Sequence, residues 1–203
     1  MFHPSRRHRH WIRSIAIFLP FMLASSSLSA ATAVSLDLDN LVKQSWAIAL
    51  VTVEGLQSFS TGMPGSSPIA TRVTFVIEKV YKGQVSGSVN ADFLGGTIGT
   101  RKVAIPGMPQ LKQGQRLIVF LANPTNKSLS GTIGRDQGVL RIVFDPQTGS
   151  DRVYRWWGQG VNSQVNFKDR TPLSMETTTS PTGNAETLPE FENQLNQAIA
   201  QTQ

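Results

Sequence analysis

The side chains most often used in catalysis are concentrated at the start of the chain. His3, His8 and His10 are the three histidines, and the 203-residue sequence contains no cysteine. Ser-His-Asp and Cys-His catalysis require an imidazole, and zinc sites are built mainly from imidazole and thiolate ligands. Beyond residue 10, the remaining options are carboxylate chemistry, a Ser-Lys pair or a cation site made of oxygen ligands.

The sequence offers little support for these remaining options. No serine stands three positions before a lysine, the spacing of one Ser-Lys class. The acidic residues are scattered singly, unlike the dense alternation of a calcium loop. Asp145 and Asp151 flank a segment with Pro146 and Gly149, which predicts a hairpin turn. We therefore expect no metal site and no cofactor.

The first 33 residues have the three regions of a secretory signal peptide. Four arginines precede an apolar stretch at 15–24, and small residues follow up to Ala33. Cleavage after Ala33 or after Ala31 satisfies the small-x-small rule, and we favour Ala33. A membrane anchor needs about 20 apolar residues, and Pro20 interrupts this stretch. The sequence thus predicts a periplasmic or secreted protein without a stable membrane anchor after cleavage.

Removal of this segment changes the charge of the protein. The chain has 19 Lys and Arg residues and 13 Asp and Glu residues, for a net charge of +6. Four of the basic residues lie within positions 1–33, so 15 basic residues would remain against 13 acidic ones, a net charge of +2. A nucleic-acid partner is therefore not expected, because the basic balance largely disappears and the predicted compartment contains little nucleic acid.

The predicted mature chain is long enough for one domain with a hydrophobic core. Its apolar residues recur mainly with a period of two, which is typical of strands. We predict a β domain over residues 34–170, in which a turn-rich loop at 58–68 follows the first strand. The predicted strands are 47–54, 70–82, 88–94, 100–105, 116–121, 139–144 and 152–157.

The second predicted strand contains a break in this period. Phe75 and Ile77 share one parity, whereas Val80 has the other. A β-bulge near Glu78 and Lys79 would return them to one face, and bulges let strands bend around a small barrel. The predicted fold class is therefore mainly β, a small coiled antiparallel barrel of OB-like type with a short N-terminal helix and a C-terminal helix.

Helix signals occur at both ends of this domain. Ser35 is a candidate cap for the short first helix, with Asp37 and Asp39 in its first turn. Residues 171–187 have almost nothing to bury and are predicted to form a flexible linker. Residues 188–203 are predicted to form an amphipathic helix, because Thr187 and Glu190 make a capping-box pattern and apolar residues follow on one face. We expect this helix to dock on the barrel.

An ordered set of motifs resembles a family of exported bacterial proteins of uncertain function. The set consists of Lys82-Gly83, Gly95-Gly96, 106–109 (PGMP), 114–121 (GQRLIVFL) and 134–138 (GRDQG). A helix with a coiled barrel and a strand ending in VYKG is also similar to netrin-like and metalloproteinase-inhibitor modules, which are OB-type barrels. Those inhibitors hold the protease zinc through a disulfide-bonded cysteine, which this chain lacks, so their mechanism does not transfer.

The glycine- and proline-rich loops between strands are the predicted working surface. The predicted partner-binding residues are Gly95, Gly96, Thr97, Gly99, Arg101, Pro106, Gly107, Pro109 and Trp157. Turns and bulges alone also explain such glycines. An exposed tryptophan ring can stack on a sugar or a peptide.

Two function classes follow from the sequence. The first is an exported non-enzymatic binding module for a protein, peptide or polysaccharide, with one version that binds or inhibits a secreted metalloprotease. The alternative is a hydrolase that uses carboxylates or a Ser-Lys pair.

Overall fold

The computed structural model describes residues 36–62, 68–126, 129–156 and 185–202. Its helices and strands are, in chain order, α1 (Leu38–Gln44), β1 (Ala47–Ser60), β2 (Ile69–Lys82), β3 (Ser88–Leu94), β4 (Gly96–Ile98), β5 (Arg101–Val103), β6 (Arg116–Leu121), β7 (Val139–Asp145), β8 (Ser150–Arg155) and α2 (Leu188–Thr202). Two short 3-10 helices cover Pro124–Asn126 and Arg135–Gly138. Six strands form one antiparallel sheet in the order β3-β2-β1-β6-β7-β8, and β4 and β5 form a separate hairpin.

This arrangement confirms the prediction of a mainly β protein with two helices. The described strands form an open sheet in which β3 and β8 are the outermost strands, and no closed barrel is seen among them. The OB-like barrel therefore stays a prediction.

The first half of β1, up to Val53, and strand β6 are buried on both faces of the sheet. In β6, every residue from Leu117 to Leu121 is buried, as the continuous apolar run RLIVFL predicts. β1 is longer than predicted: it continues beyond Glu54 to Ser60 and includes part of the predicted loop. Pairing with β2 extends to Ser60 opposite Ile69, so cross-strand partners override the turn-forming composition of this segment.

The predicted irregularity in β2 is present at Glu78. Leu50 is opposite Lys79 and Val51 is opposite Ile77, so the register between β1 and β2 skips Glu78. A skipped residue reverses the side-chain parity that follows it. Val80 is therefore returned to the face of Ile77.

One face of the sheet is covered by the two helices. Leu41 and Val42 of α1 and the apolar stripe of α2 pack on side chains of β1, β6, β7 and β8. The stripe predicted for α2 is confirmed, since Leu188, Phe191, Leu195, Ala198 and Ile199 are buried. No helix of the described part of the chain has both the length and the apolar character needed to cross a bilayer.

Both helices begin at polar caps. Asp37 is the N-cap of α1 and accepts a hydrogen bond of 2.8 Å from the Asn40 N–H, so the prediction that Asp37 lies inside the first turn is wrong. Ser35 and most of the predicted linker, residues 171–184, lie outside the described residues. At the start of α2, the Thr187 N–H donates to the Glu190 carboxylate over 2.9 Å, as the capping-box pattern predicts.

The opposite face carries a second apolar cluster. Side chains of β1, β2, β3 and β6 meet there, with Phe75 and Phe93 in an edge-to-face contact at 6.5 Å between ring centroids. Ile105, Met108 and Leu111, from the segment after β5, pack on this cluster. The sheet therefore has two cores, one under helices and one under a loop.

The C-terminal helix is fixed to β2 by a charged side chain. Glu192 accepts hydrogen bonds from the Lys79 ammonium at 2.8 Å and from the Tyr81 hydroxyl at 2.6 Å. Burial acts to raise the pKa of Glu192, but the hydrogen bonds from Lys79 and Tyr81 outweigh it and hold the pKa below its usual value. The ionised carboxylate therefore stabilises the docked helix.

We predict that Glu192→Gln lowers the free energy of unfolding by about 1 kcal/mol at pH 7, because a partly buried charged hydrogen-bond pair is replaced by neutral ones. Since the native pKa is lowered, the stabilisation is present above the pKa of the unfolded chain, about 4.3, and is lost as the pH falls through the native value. Urea unfolding of the wild type and the variant at pH 7 and at about pH 3 measures the loss of unfolding free energy at each pH.

Glu54→Gln is the matched control, because Glu54 is exposed and no hydrogen bond from its side chain is described. It should leave the free energy of unfolding within about 0.5 kcal/mol of the wild type. An equal loss for Glu192→Gln at both pH values would contradict the ionic role of Glu192.

Candidate functional site

Five of the described acidic side chains are engaged in ion pairs. Arg116 binds Glu78 at 2.8 Å and also contacts Asp151, and Arg72 binds Asp92 at 2.9 Å. The hydrogen bond to Glu78 is the main reason that the pKa of Arg116 is raised. Within the described residues, no three His, Cys, Asp or Glu side chains come together as a candidate ligand set.

A cavity of about 260 Å³ opens on the face of the sheet opposite the helices. Its walls come from β1, β2, the end of β3, the β4–β5 hairpin and the segment 104–111. Apolar side chains dominate these walls: Leu56, Val73, Phe93, Ile105, Met108 and Leu111. Among the described residues that line the cavity, Lys102 alone carries a charge.

A chain of hydrogen bonds fixes the glycine-rich wall of this cavity. The Thr97 N–H donates to Ser58 Oγ over 3.2 Å, and the Thr71 hydroxyl donates to the Gly95 carbonyl oxygen over 2.8 Å. Thr71 has only one hydroxyl proton, so Ser58 is the donor in the 3.0 Å bond between Ser58 Oγ and Thr71 Oγ1. The Thr71 hydroxyl therefore donates to the backbone at Gly95, and the Ser58 oxygen accepts from the backbone at Thr97.

Gly96 allows this chain of hydrogen bonds to pass close to the main chain. Its φ of +141° lies in a region that side chains rarely adopt. A Cβ atom at this position would overlap Thr71 Oγ1 and would lie 2.5 Å from Ser58 Oγ. The glycine is therefore required by a close approach and not only by a turn.

The opposite wall is built on a tight turn. The Met108 N–H donates to the Ile105 carbonyl oxygen over 3.1 Å, and the φ of Gly107 is +76°. With Pro106 at the second position, this is the type II turn that the sequence predicts. The Asp136 N–H donates to the Gly107 carbonyl oxygen, and the turn points Met108 into the apolar cluster.

Four of the predicted site residues come together in the structure. Gly95, Gly96, Thr97 and Pro109 line the same cavity from two different segments. Residues 97 and 109 are separated in sequence by the rest of the β4–β5 hairpin and by the type II turn. The predicted loops therefore form one surface.

Four of the remaining predicted residues are described by the structure and do not line the cavity. Gly99 is in the turn between β4 and β5, and Arg101 is exposed on β5. Pro106 and Gly107 form the turn that positions Met108. Trp157 lies outside the described residues.

Sequence reasoning omitted several residues that line the cavity. The turn-forming residues that follow Ser58 predict a loop there, although β1 extends to Ser60. Met108 lies in a turn-rich triplet, which obscured its burial. Lys102 is adjacent to the predicted Arg101, and the alternation of a strand would have placed these two side chains on opposite faces.

Comparison of the chain with protein-family models, with curated proteins and with solved structures gives no match. The resemblance to exported bacterial proteins and to netrin-like modules therefore stays a prediction from motifs.

We predict that Gly96→Ala lowers the free energy of unfolding by about 3 kcal/mol, because the new methyl group adds a steric overlap to backbone strain. Gly99→Ala is the matched control: the φ of Gly99 is +57°, but a Cβ there meets no atom within 4 Å. It should cost only about 1 kcal/mol. Chemical unfolding of the three proteins compares the two losses, and equal losses would contradict the close approach at Gly96.

Proposed function

We propose that this protein is an exported, non-enzymatic binding module that receives its partner in the cavity between residues 95–97 and 108–111. The observation that carries the proposal is the composition of this cavity, whose lining is mainly apolar and includes one charged residue, Lys102. Apolar concave sites with a few polar groups are the usual form of binding sites.

The positions of the candidate reactive groups favour binding over hydrolysis. Ser58 and Lys102 both line the cavity, as a Ser-Lys hydrolase would require, but the proton of Ser58 is donated to Thr71. Glu78 and Asp151 are two carboxylates that share one partner, and each forms an ion pair with Arg116. The Ser58 hydroxyl and the two carboxylates are thus engaged in bonds within the fold, which favours binding over the hydrolase alternative.

The partner class in this proposal is a protein or peptide, with a polysaccharide as the alternative. One version of it is a secreted metalloprotease, which would be bound or inhibited by a module of OB-like type. Two features of the described sheet support the similarity to OB-like modules, its antiparallel order and the bulge at Glu78. Incubation of the protein with secreted metalloproteases and a fluorogenic peptide substrate tests this version, and unchanged turnover without a complex would remove it.

Export is part of the same proposal. We predict that the protein recovered from outside the cytoplasm begins at Val34, because signal peptidase cleaves after small-x-small sequences. N-terminal sequencing of that protein checks the position, and Thr32 as first residue would indicate cleavage after Ala31. An uncleaved cytoplasmic protein would contradict export.

We predict that a partner is captured through the cavity. The mature protein is immobilised, exposed to extracytoplasmic proteins of its host, and the retained proteins are identified by mass spectrometry. Leu56→Trp should abolish capture, because Leu56 lines the cavity and is 40% exposed, so a larger ring can cover the opening.

Val80→Trp is the matched control, since Val80 is 38% exposed and does not line the cavity. It should capture the same partner as the wild type. Retention that is identical for all three baits would place the partner elsewhere, and the absence of any specific partner would contradict the binding function.

A further inference from the structure

Three buried side chains form the inner wall of the cavity. Val73 of β2, Phe93 of β3 and Met108 of the type II turn are at most 8% exposed, and each of them lines the cavity. Their surfaces are a branched aliphatic group, an aromatic ring and a thioether. The inner wall is therefore apolar, and it contains two polarizable groups.

Two hydroxyl groups that line the cavity are already bonded within the fold. The Ser58 and Thr71 hydroxyl groups bond to each other, and they also bond to the backbone at Thr97 and Gly95. Neither side chain has a hydroxyl proton left for a ligand. A sugar, whose rim is covered by hydroxyl groups, would lose more hydrogen bonds with water than it would gain on this wall.

The volume of the cavity is sufficient for a single ring. An apolar cavity of about 150 Å³ binds benzene. The cavity described here has about 260 Å³. A phenyl ring therefore has room to enter together with the methylene group that joins it to a backbone.

Two members of the inner wall favour an aromatic ring over an aliphatic side chain. Aromatic rings attract each other in edge-to-face geometry, and Phe93 makes such a contact with Phe75 at 6.5 Å between ring centroids. Thioether sulfur atoms also make favourable contacts with aromatic rings. Phe93 and Met108 thus supply two kinds of attraction that an aliphatic side chain in the cavity would not receive.

Resting on the proposed binding function, we propose that the cavity binds the phenyl ring of a phenylalanine side chain of the partner protein. The ring contacts Phe93 and Met108. The backbone that carries it stays at the opening, on the side of the exposed lining residues Thr97 and Gln110. In many interfaces a few side chains buried in pockets supply most of the binding energy. The inner wall thereby favours a protein or peptide over a polysaccharide.

Titration of the ¹⁵N-labelled mature protein with small neutral probes tests the proposal. The probes are N-acetyl-phenylalaninamide, N-acetyl-leucinamide, N-acetylglucosamine and N-acetyl-cyclohexylalaninamide, which has a saturated ring. The phenylalanine probe should shift the amide signals of Gly95, Gly96 and Gln110 with a dissociation constant of about 1 mM. The leucine probe should bind at least about threefold more weakly. The cyclohexyl probe should bind no more tightly than the phenylalanine probe, although it is more apolar, and the sugar should cause no shift.

Three variants locate the ring in the cavity. Leu56→Trp should abolish the shifts, whereas Val80→Trp, outside the cavity, should keep them. Met108→Leu conserves the volume of the side chain but removes the sulfur atom. It should weaken the phenylalanine probe about threefold and leave the leucine probe unchanged. The comparison of probes on the wild type does not depend on the folding of any variant.

Several results would overturn the phenylalanine anchor. They are tighter binding of the leucine or cyclohexyl probe, a shift of the same signals by the sugar, an equal effect of Met108→Leu on both amino-acid probes, shifts that persist in Leu56→Trp, or no shift with about 10 mM phenylalanine probe.

Capture of the partner separates this proposal from the binding function. The phenylalanine probe at about 10 mM should lower the amount of partner that the immobilised protein retains. If the probes contradict the anchor while the protein still captures a partner that Leu56→Trp loses, the binding function stands and only the phenylalanine anchor fails. If capture fails as well, both proposals fail.

Discussion

The burial of β6 and of the first half of β1 on both faces of the sheet is the constraint on which the rest of the structure depends. A strand with apolar side chains on both faces needs a layer on each side. Here the two layers differ in kind. The first is made of α1 and α2, and the second is made largely of the irregular segment after β5.

This difference explains why the candidate site is on one face only. A helix offers a continuous apolar stripe, and α2 covers its part of the sheet with Phe191 and Leu195 fully buried. A loop covers a sheet less evenly, so Met108 and Leu111 leave a gap next to the β4–β5 hairpin. The cavity is thus a consequence of how the second core is closed.

The polar groups around this gap have a structural role before any binding role. Ser58 and Thr71 satisfy the backbone at Gly95 and Thr97, which keeps the hairpin against the sheet.

Much of the fold could be predicted from local patterns. The apolar run of β6, the bulge at Glu78 and the stripe of α2 are each determined by neighbouring residues. The far end of β1 and strand β4 could not be predicted, because their strand conformation depends on partners distant in sequence. Whether the sheet stays open or closes into a barrel likewise depends on which strands pair in space, and local sequence patterns do not determine that.

The candidate site was predicted in part for the same reason. The Gly95-Gly96 pair and the PGMP turn are local signals in the sequence, and they identified Gly96 and Pro109. Leu56 and Thr71 lie on strands 24 or more residues earlier than Gly95, and only the folded sheet brings them to the cavity. Whether the side chains of Leu56 and Thr71 face the cavity depends on the register of the sheet, because a one-residue shift would turn them to the other face.

Amide hydrogen exchange at Thr97 tests the central claim most directly, because protection reports whether a backbone N–H is paired. In the free protein, the account predicts slow exchange at Thr97, whose N–H is bonded to Ser58. In complex with the captured partner, this amide should become still more protected, because Thr97 lines the cavity. Fast exchange at Thr97 in the free protein, or no added protection in the complex, would contradict a fixed cavity wall as the place where the partner binds.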